Sequence, residues 1–141
     1  MTVNQISVFV ENKSGALARI ADELSAAGVN MRALSIAETH DYGILRFIAD
    51  NDHRAASVLR DAGYVLSLTP VLAVVLRDEP GSFAKTLGVL AEAGIDVEYT
   101  YAFLTPRPGT ACMIFRVADN DAAAAVLRKA GVKLATKEEM I

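Results

Sequence analysis

Twice in this chain a short polar turn ends in glycine just ahead of a helical pattern. The two stretches are Asn12-Lys13-Ser14-Gly15-Ala16-Leu17 and Asp78-Glu79-Pro80-Gly81-Ser82-Phe83. Glycine there tolerates unusual φ and lets another molecule approach the backbone closely. The first N–H groups of a helix lack intrahelical acceptors, and the helix dipole adds partial positive charge. Such a turn is therefore matched to an anionic group such as a carboxylate. Asn12 and Asp78 stand at equivalent places and offer side-chain oxygens to a cationic group. Asn30 and Asp96, each just after an Ala-Gly pair and a branched apolar residue, offer a second such set.

Other reactive side chains do not form constellations. Cys112 lies in an apolar, strand-like stretch with no histidine beside it, which fits an inert thiol. His40 and His53 fall into no metal-ligand spacing, and no Cys-x-x-Cys or phosphate-loop pattern occurs. Asp50-Asn51-Asp52 and Asp119-Asn120-Asp121 lack the glycine and closing glutamate of a calcium loop, so they read as helix caps. Arg107 has no setting that suggests an anion-binding catalytic loop. Tyr99 and Tyr101 alternate on a strand like a base-stacking platform, but the basic residues that would accompany one are missing. The net charge is −3, with no Lys/Arg cluster, which argues against nucleic acid. The expectation is a protein without enzyme activity, cofactor or metal.

The longest apolar run, 71–76, is far short of the roughly 20 residues a membrane span needs. Residues 1–5 lack the basic start of a signal peptide. A single cysteine fits a reducing compartment. These features together predict a cytoplasmic protein that does not engage membrane.

The two turns belong to a longer repeat. Gly15 and Gly81 are 66 residues apart, and the same offset carries Leu24 onto Leu90, Ala27-Gly28 onto Ala93-Gly94 and Asn30 onto Asp96. A second block, Ala49-Asp50-Asn51-Asp52, returns as Ala118-Asp119-Asn120-Asp121 at an offset of 69. A third, Val58-Leu59-Arg60, returns as Val126-Leu127-Arg128. The change of offset puts a loop insertion at Arg107-Pro108-Gly109, against His40-Asp41 in the first copy. Pro70 marks the join, giving domains 1–69 and 70–141.

Each copy must then supply the elements that hold its turn. The branched run 6–10 reads as a strand. Leu17, Ile20, Ala21 and Leu24 recur at helical spacing, and Gly28 ends that helix. Residues 31–37 and 44–49 form a hairpin, a second helix carries Val58, Leu59 and Ala62, and 65–68 is a last strand. The second copy repeats this over 72–76, 81–93, 96–104, 110–118, 121–130 and 132–135. The order β-α-β-β-α-β predicts an α+β fold: two ferredoxin-like domains in tandem, each an antiparallel sheet with its helices on one face.

The turn motif followed by Ala-Gly-(Val/Ile)-(Asn/Asp) resembles the ACT domain, and the chain as a whole, about 4–135, resembles tandem amino-acid-binding ACT proteins. Residues 32–37 and 98–103 look like that subgroup. The resemblance implies a regulatory protein with a free amino acid as ligand, held between ACT domains and coupled to a partner enzyme of amino-acid metabolism, in a homodimer. Its alternative is a scaffold subunit that associates with such an enzyme without binding ligand. The implied ligand contacts are Asn12, Ser14, Gly15, Ala16 and Leu17, with Asp78, Pro80, Gly81, Ser82 and Phe83. Strand residues Asn30, Met31, Ser35, Asp96, Val97, Tyr99 and Tyr101 are to close the pocket. Ser14 stands where the motif prefers proline, and its hydroxyl is expected to cap the helix instead.

Overall fold

The computed structural model describes residues 2–38, 40–104 and 107–140. The chain divides into two compact units, Asn4–Thr69 and Pro70–Ile141 with Met1–Val3.

The first unit runs β1 (Val3–Glu11), α1 (Ala16–Ala26), β2 (Met31–Glu38), β3 (Tyr42–Ala49), α2 (Asp52–Asp61) and the start of β4 (Leu66–Arg77). β3 pairs antiparallel with β1, Val8 opposite Leu45, and with β2, Leu34 opposite Phe47. The Phe9 amide donates to Val65 O at 3.2 Å, where the chain turns into β4 beside β1. Alternation along the strands puts Ile6, Val8, Val10, Leu45 and Phe47 on one face. Ile20 and Leu24 of α1 and Ala55, Ala56 and Leu59 of α2 cover that face and close the core. Burying each of the larger side chains stabilises the unit by about 1.5–3 kcal/mol.

The second unit uses the remainder of β4 as its first strand. It continues through α3 (Ser82–Glu92), β5 (Tyr99–Ala102), β6 (Thr110–Arg116), α4 (Asn120–Lys129) and β7 (Lys133–Leu134). β4 lies between β6, Val74 opposite Met113, and β7, Val74 opposite Leu134; β5 lies outside β6. Leu72, Val74, Phe115, Leu90 and Leu127 form its core. Both units thus have the ferredoxin-like arrangement that the periodicity predicts.

Superposed by their registers, the copies agree in offset with two of the three sequence blocks and differ from the Asp-Asn-Asp block. Up to the hairpin the offset is 66: Val8 pairs with Leu45 as Val74 pairs with Met113. Beyond it the offset is 68, the spacing of the Val58 and Val126 blocks, rather than the 69 of the Asp-Asn-Asp letters. The N-caps are Asn51 and Asp119, each accepting from the amide three residues on, Arg54 and Ala122, at 3.0 Å. Helix phase decides this, because Ala55, Ala56 and Leu59 must face the core as Ala123, Ala124 and Leu127 do. The matching Asp-Asn-Asp letters sit one residue out of register with the backbone.

Four further differences are local. Ser14 does not cap α1: the N-cap is Gly15, with no side-chain cap hydrogen bond. β4 is one strand through Pro70 rather than two, since an extended chain accommodates the fixed φ of proline where its missing N–H is not needed. β5 covers less than the expected 96–104, although Glu98 N–H reaches Arg116 O and Phe103 N–H reaches Cys112 O, both at 2.9 Å. A short helix unmarked by periodicity, α5 (Lys137–Met140), follows β7 and buries Met140.

Candidate functional site

The two glycine turns have the same backbone. The Lys13 amide donates to Glu11 O and the Glu79 amide to Arg77 O, both at 2.9 Å. Gly15 has φ 85° and Gly81 φ 91°, the left-handed region where a Cβ is disfavoured. An added Cβ would meet nothing within 4 Å at either position, so the requirement is conformational and not steric. The Ala16 and Ser82 amides donate back to Lys13 O and Glu79 O at 3.3 Å, which withdraws one amide of each helix start from ligand use. The first bonds into the helices are Arg19 N–H to Gly15 O and Lys85 N–H to Gly81 O. The Leu17 and Ala18 amides, like those of Phe83 and Ala84, precede those bonds and have no intrahelical acceptor.

Each turn is tied to its hairpin. The Asn12 amide donates to Asp41 O at 3.4 Å, and the Asp78 amide to Gly109 O at 3.1 Å. Asn12 Nδ2 also donates to His40 O at 3.4 Å, which aims Oδ1 away from the hairpin as an acceptor.

In the first unit this end of the domain holds a pocket of about 160 Å3. Asn12, Lys13, Ala16 and Leu17 form its upper wall, and Val10, Ile36, Glu38 and Gly43 its floor and far side. Gly43 is a strand residue whose added Cβ would stand 3.5 Å from Ile36 Cγ2. A side chain there would therefore occupy pocket space. Glu11 also lines the pocket and is bridged by Lys13 Nζ at 2.7 Å. The Lys13 hydrogen bond, then its charge, holds the Glu11 carboxyl below the usual carboxylate range. Among the described residues no group of three or more His, Cys, Asp or Glu is arranged to hold a metal ion.

The remaining residues expected at the site lie elsewhere in their units. Ser14 and Gly15 are exposed on the turn. β2 runs parallel to β1, so Asn30 and Met31 stand at the opposite end of an eight-residue strand, roughly 20 Å from the turn. There the Asn30 amide donates to Asp50 Oδ1 at 3.1 Å, the Asp50 amide returns a bond to Asn30 O, and Met31 packs on the core. Ser35 sits opposite Arg46, on the sheet face away from the helices. In the second unit Asp78, Pro80 and Gly81 are exposed, Ser82 is half-buried and Phe83 stacks on Phe115 at 6.0 Å. Asp96 is exposed, Val97 packs on the core, and Tyr99 and Tyr101 stack at 6.5 Å. Sequence reasoning missed Ile36, Glu38 and Gly43. Alternation from Leu34, which faces the core, would have put Ile36 and Glu38 on the helix side.

Comparison with known proteins follows the same architecture. A family described as "ACT domain pair" matches residues 1–141. The chain is similar to the crystal structure of protein BT0572 from Bacteroides thetaiotaomicron, at 33% identity and TM-score 0.93, covering 99% of this chain and 96% of that one. It also resembles the ligand-free regulatory subunit of aspartate kinase from Thermus thermophilus, at 17% identity and TM-score 0.68, covering 90% and 91%. The regulatory subunit of aspartate kinase from Thermus flavus gives 16% identity and TM-score 0.63, covering 91% and 92%. At these two identities the likeness is one of fold. No curated protein matches the sequence.

Proposed function

We propose, from the premise that this chain belongs to the ACT family as an ACT domain pair, that it is a regulatory protein which binds a free amino acid and catalyses no reaction. The two ACT domains are taken as 1–69 and 70–141. Ligand occupancy is passed to a partner enzyme of amino-acid metabolism in the cytoplasm, and the protein works as a homodimer. The regulatory subunits of aspartate kinase use the same fold, which makes an enzyme partner a consistent reading.

The observation that carries the proposal is the pocket of about 160 Å3 beneath the start of α1. It is smaller than the roughly 300–1,000 Å3 of sites for drug-sized ligands, so it suits a metabolite of a few heavy atoms. The ligand carboxylate takes the Leu17 and Ala18 amides beside Gly15, with the helix dipole and Lys13 favouring negative charge. Asn12 Oδ1 and the Glu38 carboxylate receive the ammonium group. Ala16, Leu17 and Ile36 enclose the side chain, and Gly43 leaves room for it. Two or three charged hydrogen bonds, at about 1.5–3 kcal/mol each, less the ordering cost, correspond to a Kd of roughly 1–50 μM. The equivalent turn of the second copy, Asp78 to Phe83, is the candidate for a second site.

A thermal-shift screen of the proteinogenic amino acids tests this. A ligand at about 100 times its Kd adds about 2.7 kcal/mol, which raises Tm by roughly 5–13 °C for a chain of this length. One or a few amino acids should do so, and Asn12→Ala should remove the effect. A flat screen at about 1 mM, with stable co-purification of an enzyme, would overturn ligand binding in favour of a scaffold subunit.

A further inference from the structure

The second turn repeats the backbone of the first, but the side chains around it have been exchanged as a set. The strand registers bring Ala102, Leu104 and Ala111 to the positions of Ile36, Glu38 and Gly43. The offset of 66 brings Glu79 and Phe83 to the positions of Lys13 and Leu17. The cation beside the helix start has become an anion, which repels a carboxylate. The acid on the far wall has become leucine, which accepts no hydrogen bond. The strand glycine that leaves space open has become alanine.

Two of these exchanges compensate in volume. Leucine gives way to phenylalanine on the helix, at 17 and 83, while isoleucine gives way to alanine on the strand, at 36 and 102. The Phe83 ring lies on Phe115, with centroids 6.0 Å apart and planes at 26°. Phe83 is 37% exposed against 39% for Leu17, so the larger side chain hides more surface than leucine does and its added atoms go inward. The core does not need that ring. In the first copy Phe47, the equivalent of Phe115, is fully buried with leucine at the helix position. There Leu17 and Ile36 line the pocket of about 160 Å3.

We propose that Phe83 is a built-in occupant of the second turn: its ring fills the place that a ligand takes in the first copy. The second domain is thereby held in a filled form whatever the ligand supply, and the chain has one regulated site. The inference rests on the reading of the first pocket as an amino-acid site, and adds to it the stoichiometry and the fixed state of the second domain. A ring tethered to α3 loses none of the translational freedom that a free ligand gives up on binding. The stack then stabilises the fold where the first copy keeps an open, functional pocket. The loss of Lys13 and Glu38 at the second turn follows the same logic, since no zwitterion has to be held there.

The test uses the full chain and isothermal titration with whichever amino acid gives the largest thermal shift. Wild type should bind one equivalent per chain, and Asn12→Ala should leave no saturable binding. Two equivalents per wild-type chain, or half the binding surviving Asn12→Ala, overturns the inference. Giving the second turn the side chains of the first, with Phe83→Leu, Glu79→Lys, Leu104→Glu and Ala111→Gly together, should raise the stoichiometry to two. The same set with Phe83 retained should stay at one. A set that stays at one without the ring, or reaches two with it, means that Phe83 does not close the turn. A measurement without ligand stands beside these: Phe83→Leu alone should lower Tm by roughly 2–5 °C, the worth of one aromatic stack, and an unchanged Tm overturns the ring as an occupant. A screen in which no amino acid binds would sink the reading of the first pocket, whereas two equivalents per chain would sink the inference and leave that reading standing.

Discussion

Glu11 and Lys13 in the first copy, and Arg77 and Glu79 in the second, occupy the same two positions of the same turn with opposite polarity. Their ion pairs measure 2.7 Å and 3.9 Å. Next to the first pair stands neutral Asn12; next to the second, Asp78. The approach to α1 therefore carries a cation, and the approach to α3 carries two carboxylates. Acids at a helix start are good for the helix, by about 0.3–1 kcal/mol each. They compete, however, with an incoming carboxylate for the same dipole. Duplication has kept the backbone that makes a helix start available and has changed what surrounds it.

The interior has diverged in the same way. Asp52, the first residue of α2, is buried and accepts from Asn4 Nδ2 at 2.8 Å. Asn120 takes the equivalent place in α4 and donates instead to Pro70 O at 3.1 Å. Ile20, fully buried, is matched by Thr86, whose hydroxyl is satisfied by Ser82 O at 3.1 Å. The first substitution reverses the direction of a bond to the start of the domain and the second adds a local one within the helix, and neither moves the element, because the layer as a whole sets its position.

The largest expected effects should be shared by the two copies. Phe47→Ala and Phe115→Ala each empty a fully buried site and should cost about 3–5 kcal/mol in urea unfolding. Phe115 should stand at the upper end, since it also loses its stack on Phe83. A cost below about 1.5 kcal/mol at either position would break the equivalence of the two cores. The next effect should separate the copies. Asn4→Ala leaves a buried carboxylate short of a donor and should destabilise by about 1.5–3 kcal/mol, while Asn120→Ala removes a neutral bond and should cost about 1 kcal/mol. Equal losses would mean that the Asn4 bond carries no more than a neutral one.

A smaller change concerns the ligand. Converting the first turn to the second, with Asn12→Asp and Lys13→Glu together, should weaken amino-acid binding by about tenfold through repulsion of the carboxylate. Isothermal titration would read this, and an unchanged Kd would remove the electrostatic distinction between the turns. The smallest effect is confined to high pH. Burial pushes the Cys112 thiol up to about 11 from 9.0, whereas its first-copy equivalent is Ile44. A raised folded pKa favours the protonated fold, so this contribution is fully present below pH 9 and is lost as pH rises towards 11. The stability difference between wild type and Cys112→Ala should shrink over that window, and a constant difference would count against a buried thiol.

The repeat itself was legible because the residues that carry it act locally. Gly15 and Gly81 answer to backbone conformation, Leu17 to Leu24 to helical spacing, and Gly28 and Gly94 to helix termination; none needs a partner distant in sequence. The helix caps were legible in kind but not in register. Short polar residues fill both helix starts at two competing offsets, 69 for the Asp-Asn-Asp letters and 68 for Val58 and Val126, and the packing of Ala55, Ala56 and Leu59 against the sheet selects the second and with it Asn51. Ser14 failed as a cap for a related reason: the tight turn through Lys13 already makes Gly15 the first residue of the helix boundary.

By itself, then, the sequence determined the order of elements, their duplication and the turn on which a ligand site can be built, since each depends on short-range periodicity and on residues with restricted or permissive backbones. The tertiary structure decided which side chains share that site. Glu38, Ile36 and Gly43 come beneath Asn12 and Leu17 because two antiparallel pairings bring the C-terminal end of β2 alongside the end of β1. Such meetings depend on strand register, which is fixed only when alternating residues commit one face of the sheet to the core.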